Sequence, residues 1–112
     1  MEHEPEYRSI IKEVLNTRAK ESFAHGQIDL VVSFDDEHGR YLLLAVGWNG
    51  IRRVHTVLAH VDLIDDKVWL ETYSTAPPGI AEALVAAGVP HTQIVLAFHH
   101  SNIRPNTAFA VA

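Results

Sequence analysis

Eight histidines stand in a chain of 112 residues that has no cysteine. Imidazole titrates near neutral pH and is the commonest protein ligand for zinc, so chemistry is first sought there. His99 and His100 are adjacent, and neighbouring side chains of an extended segment point to opposite faces. The pair therefore cannot simply chelate one ion together. His55 and His60 lie an odd number of residues apart on one apolar run, so they face opposite ways unless a bulge intervenes. No HExxH pattern is present, and thiolate sites are excluded. Ser101 beside His100 lacks the G-x-S-x-G elbow of a hydrolase nucleophile. Gly47-Trp48-Asn49-Gly50 matches the G-x-x-G string that clamps nucleotides in KH domains, but that loop joins helices. Here it joins two apolar β runs, where Asn49-Gly50 reads as a two-residue hairpin turn. No catalytic residue, metal ligand set or cofactor is assigned.

Basic and aromatic residues offer a different chemistry, that of contact surfaces. Arg52 and Arg53 fall on opposite faces of their strand. Arg53 shares its face with Val57, Ala59 and Val61, which calls for a place at the sheet rim or a buried carboxylate partner, with the ion pair expected. Trp69 alternates with Lys67, Glu71 and Tyr73 on a mixed aromatic and charged face, free for a partner or covered by the N-terminal helix. The candidate interaction residues are Trp48, Arg52, Arg53, Trp69, Tyr73, His99, His100 and Arg104. The competing reading is a small-ligand or metal-assisted enzyme domain that uses His99, His100 and Arg104.

These residues are positioned by a recognisable series of elements. Tyr7, Ile10, Ile11, Val14 and Leu15 repeat at helical spacing, with Arg8, Lys12, Glu13 and Arg18 elsewhere. Pro5, Glu4 and Glu6 suit a helix start, and Gly26 marks the region where it has ended. Ile28, Leu30, Val32 and Phe34 alternate with Asp29, Val31 and Ser33 as in a half-buried strand. Residues 35–39 form a polar loop. Residues 41–46 have no polar side, so both faces require cover. A third strand spans residues 51–64, with Val57, Ala59, Val61 and Leu63 on one face and Arg52, Thr56, His60 and Asp62 on the other. Asp65-Asp66 turns into a fourth strand at 67–73. Pro77-Pro78-Gly79 opens a second helix, Gly88 caps it and Pro90 stops it. Residues 94–98 are a short strand or helical turn, 99–106 a loop, and 107–111 a final strand. The expected fold is one α+β domain: an N-terminal helix, a four-stranded antiparallel meander, a second helix and a short C-terminal strand.

Composition narrows the function. The formal charge is −5 with His neutral, and its sign would reverse if every His were protonated. Residues 1–40 hold 5 basic and 9 acidic groups, whereas 73–112 hold only Glu82 and Arg104. A nearly uncharged C-terminal third requires burial in the core or against a partner. Net acidity disfavours direct DNA binding, because affinity for phosphates comes mostly from Lys and Arg. The acidic start lacks a signal-peptide core, and no apolar run is long enough for a membrane span, so a cytoplasmic protein is expected. The doubly apolar run at 41–46 and the charge-poor tail together lead to the expectation of a homodimer.

Residues 41–53 (YLLLAVGWNGIRR), His60-Val61-Asp62 with Lys67-Val68-Trp69-Leu70, and Gly79-Ile80-Ala81-Glu82-Ala83-Leu84 resemble the XisI family. These are the fdxN element excision controlling factor proteins of cyanobacteria. The resemblance continues through Ala87-Gly88-Val89-Pro90, residues 94–98, Arg104-Pro105 and Phe109-Ala110-Val111. The chain departs from the pattern at Tyr73-Ser74-Thr75-Ala76, where the family tends to an Asp-Gly-Thr-Glu type stretch, and at Ala108, where it has an acidic residue. The resemblance implies an accessory role in programmed DNA excision during heterocyst differentiation. The implied partners are a site-specific recombinase and an XisH-like accessory protein.

Overall fold

A computed structural model describes residues 3–20, 27–73 and 79–112. Helix α1 spans Glu4–Lys20. Strands β1 (Gln27–Asp35), β2 (Arg40–Asn49), β3 (Arg52–Ile64) and β4 (Lys67–Tyr73) follow, then α2 (Ile80–Ala86) and β5 (Ile94–Leu96). The sheet order is β1-β2-β3-β4-β5. The first four strands are an antiparallel meander, and β5 joins β4 in parallel. The α+β architecture is the one read from the sequence, with one shift. The fifth strand comes from Ile94–Leu96, whereas 107–111 contributes only a single bridge from Ala110 to Val95.

Helix α1 buries Tyr7, Ile11, Val14, Leu15 and Arg18. Arg18 thus continues the helical repeat onto the buried side, although its charge places it elsewhere in a hydropathy reading. The expected helix limit at Gly26 lies outside the described residues. Both helices pack on the same face of the sheet, against Tyr41, Leu43, Ala59, Val61, Val68 and Leu70. Gly79 caps α2 in extended conformation. The opening prolines lie outside the described residues.

The phase of β3 is the main departure from simple alternation. Leu43 pairs with Ala59 while the next residue, Leu44, pairs with Val57, which leaves Leu58 without a partner on β2. A bulge of this kind reverses every side chain beyond it. Ala59, Val61 and Leu63 face the core as expected, but Val57 moves to the opposite face with His60 and Asp62. A second register shift leaves Glu71 unpaired, so Thr72 rather than Tyr73 falls in line with Trp69.

The β2–β3 turn also slips by one residue. Asn49 pairs with Arg52, so the two central positions are Gly50 and Ile51 rather than Asn49 and Gly50. Only Gly50 has a positive φ, of 64°. That suits a Gly-X turn, because β-branched Ile51 cannot adopt such a φ cheaply. The Asp65-Asp66 turn has positive φ at both residues, the primed geometry that matches strand twist.

One polar cluster pins α1 to the sheet. The Tyr41 hydroxyl donates to Asp36 Oδ1 at 3.0 Å and accepts from Arg8 Nε at 2.9 Å. Lys12 Nζ donates to Asp36 Oδ2 at 2.7 Å. Burial pushes the Tyr41 phenol up from its ordinary value. The Lys12 ammonium, aided by the Tyr41 hydroxyl, holds the Asp36 carboxyl below the usual carboxylate range.

Two outcomes test this construction. A Cβ at Gly47 would stand 1.9 Å from the Gln27 carbonyl oxygen, whereas one at Gly50 meets nothing within 4 Å. In urea denaturation Gly47→Ala is expected to cost about 3 kcal/mol, and Gly50→Ala about 1 kcal/mol from its positive φ alone. The Asp36 carboxyl is depressed in the folded state, so its contribution is present above its unfolded pKa of about 3.9 and is lost as pH falls through the folded value. The stability gap between wild type and Asp36→Asn is therefore expected to close below about pH 4, as read from urea midpoints across that range.

Candidate interaction surfaces

The β2–β3 hairpin carries the first group of candidate residues to one end of the sheet. Trp48 and Arg53 are directly opposed across the ladder, and the Arg53 guanidinium lies 5.2 Å from the Trp48 ring centre. Trp48 remains 44% exposed, so it is a surface aromatic rather than a core residue. Arg53 Nη1 donates weakly to the Gly47 carbonyl at 3.4 Å. Arg53 therefore takes the rim position, and among the described residues the expected buried ion pair does not form. The bulge at Leu58 is the reason: it separates Arg53 from the core-facing Ala59 and Val61. Arg52 is exposed beside it, and Ile51 at the turn is 99% exposed.

The second group gathers at the other edge. The Arg104 guanidinium lies 5.6 Å from the Trp69 ring centre. Its Nε donates to the His99 carbonyl at 3.1 Å and its Nη1 to the Val111 carbonyl at 3.3 Å. The Ala110 amide donates to the Ile94 carbonyl at 2.9 Å, and Lys67 Nζ donates to the Ala112 carbonyl. The C-terminal segment thus lies over β4 and β5 on the face opposite the helices. It buries Val95, the register partner of Trp69. Cover for Trp69 comes from this segment and not from α1. His99 stacks obliquely on Phe98 with centroids 4.5 Å apart. His100 Nδ1 accepts from the Asn102 amide at 3.1 Å. Arg104 binds backbone carbonyls while His100 closes a local turn, so the ligand or metal reading of this loop gains no support. For Tyr73 the structure gives only the backbone register, opposite Ala59.

The candidates therefore divide between two sites at opposite ends of β3. Beside the second lies a cluster outside the candidate residues. Asp62, only 8% exposed, accepts from Arg40 Nε at 3.2 Å and meets His60 Nε2 at 2.9 Å, all at the same oxygen, Oδ1. His60 and Asp62 are separated by the strand period, so their contact was legible; Arg40 joins them through the β2–β3 register. The same bulge brings His55 onto the His60 face, contrary to simple alternation. At the β1–β2 turn, Asp35, Glu37 and His38 place one ligand atom each within 4.8 Å of one another. All three are exposed, and His38 Nδ1 is 2.7 Å from Asp35 Oδ2. That contact pulls the Asp35 carboxyl below its ordinary value.

Residues 1–111 match the sequence pattern of the family described as XisI protein. The chain belongs to the XisI family. The fold is similar to a XisI-like protein from Anabaena variabilis ATCC 29413, with a TM-score of 0.86 and 31% identity over 96% of this chain and 97% of that one. It is also similar to the fdxN element excision controlling factor XisI from the same organism, with a TM-score of 0.76 and 31% identity over 95% of this chain and 96% of that one. No curated protein matches the chain. Of the positions where this chain departs from the XisI pattern, Ala108 is exposed and residues 74–76 lie outside the described segments.

The Arg104 anchor has a measurable consequence. Its ring contact and two carbonyl bonds hold the C-terminal segment against β4 and β5. Arg104→Ala is expected to lower hydrogen-exchange protection of the Ala110 amide by roughly tenfold, with protection of the β2 amides unchanged.

Proposed function

We propose that this XisI-family protein is an accessory factor of DNA-element excision that works through protein partners rather than by its own catalysis. The observation that carries this reading is whole-length similarity, in sequence and fold, to an fdxN element excision controlling factor. The natural partners are an XisH-like accessory protein and, with it, a recombinase complex. A cytoplasmic location goes with that proposed role. Among the described residues no helix is long and apolar enough to cross a membrane.

The charge distribution supports protein contact over direct DNA contact. The net charge is −5, and a duplex is held chiefly by Lys and Arg. The β2–β3 hairpin end presents Trp48, Ile51, Arg52 and Arg53 together. Trp and Arg are enriched among residues that dominate binding energy, and the tight Gly50 turn brings them to one end of the sheet. This end is the proposed docking point for the XisH-like partner.

The test is a titration of the purified chain against a purified XisH-family protein, with a parallel titration against duplex DNA. The expected result is a stoichiometric protein complex, weakened about tenfold or more by Ile51→Asp with Arg52→Glu. Tight duplex binding by the chain alone, falling steeply with salt, would overturn the indirect role. So would the lack of any complex.

A further inference from the structure

The face of the sheet opposite the helices is only half covered. The C-terminal segment lies over β4 and β5, through Arg104 on Trp69 and the Ala112 carbonyl on Lys67. Among the described residues nothing lies over the same face of β1, β2 and β3. There Val31, Leu44 and Val57 form a direct cross-strand row, with Leu42 and Val46 on either side. Val31 and Val57 are 43% and 40% exposed. The Leu58 bulge completes this patch, since without it Val57 would point into the core.

We propose that this face is a homodimer interface, on which a second copy of the chain packs with its strands reversed. The charges select the occupant and its orientation. Leu44 is the centre of the row. Four residues toward one end of β2 stands Trp48, opposed by Arg53; four toward the other stands Arg40, opposed by Asp62. Reversal about an axis across the strands at Leu44 brings Arg53 of each copy toward the end of the other where exposed Asp35 stands in one row with Arg40 and Asp62. It also sets Trp48 over the cationic Arg40. The apolar residues fall in register as well: Leu44 meets its own counterpart, and Val46 meets Leu42. The other two-fold arrangement, with strands running the same way about β2, would stack Arg40 on Arg40 and set Asp62 over Asp35. Like charges face to face disfavour it. Two twisted sheets packed in this way lie about 10 Å apart with strands within about 30° of alignment, which leaves the end charges at a wet rim. The interface is isologous, so the same patch serves both copies.

The absence of cysteine makes the arrangement directly testable. Sedimentation of the wild-type chain at tens of micromolar is expected to show a dimer. Val57→Glu and Val31→Lys lie on different strands, and each should weaken it by about a hundredfold with an unchanged circular dichroism spectrum. Ile51→Glu, at the turn and off this face, should leave the dimer intact. Mixed Trp48→Cys and Arg40→Cys proteins should cross-link with a short bismaleimide, while Trp48→Cys alone should not. A monomeric wild type at that concentration would overturn the proposal. Dimers that survive both valine substitutions would do so too, and self-cross-linking of Trp48→Cys would overturn the reversed arrangement.

Discussion

A strand can serve a core only while its alternation holds, and in β3 it holds for half the length. Leu58 is the extra residue. On one side of it Ala59, Val61 and Leu63 lie under the helices with at most 8% exposure. On the other side the phase is inverted, and Arg53, His55 and Val57 join His60 and Asp62 on the far face. One inserted residue thus keeps a well-packed core and builds a mixed apolar and charged surface from the same strand. Without the bulge, Arg53 would be directed at the core, where an unpaired guanidinium is costly.

The helices make the protein two-faced. Both pack on one side of the sheet, and α1 is tied there by Asp36, Lys12, Arg8 and the buried Tyr41 hydroxyl. These bonds satisfy a phenol that would otherwise be stranded in the core. The ion pair itself is exposed and adds orientation more than energy. On the other side, among the described residues, only the C-terminal segment provides cover, anchored by Arg104 and Lys67. This explains the nearly uncharged C-terminal third. Its apolar residues are spent on β5, on Val95 beneath the tail and on Phe109 packed against the core.

XisI-family membership and the fold go together, and the geometry shows which surfaces the protein presents. The charged groups of the described segments are largely engaged with one another or with backbone. Asp62 is shared by Arg40 and His60, and Asp36 by Lys12 and Tyr41. At the hairpin end Trp48, Ile51 and Arg52 are exposed, and on the open sheet face Val31 and Val57, side chains suited to protein contact. The accessory role proposed for the chain would use such surfaces.

The sequence by itself determined the element order, both helices, the four-strand meander and most of the core. Those follow from local periodicity and turn chemistry, which act over a few residues. It also carried the family resemblance and the His60–Asp62 contact, which needs only the strand period. Tertiary structure alone decided where the alternation breaks, because a bulge is set by the register of the neighbouring strand. It decided that Gly50-Ile51 turns the hairpin, since pairing of Asn49 with Arg52 fixes the register. It decided that the parallel fifth strand is Ile94–Leu96, which depends on the open edge of β4. It also parted the candidate residues into two sites, because Trp48 with Arg53 and Trp69 with Arg104 belong to opposite ends of β3. The strand's phase and direction, not spacing in the chain, decide which of these side chains can act together.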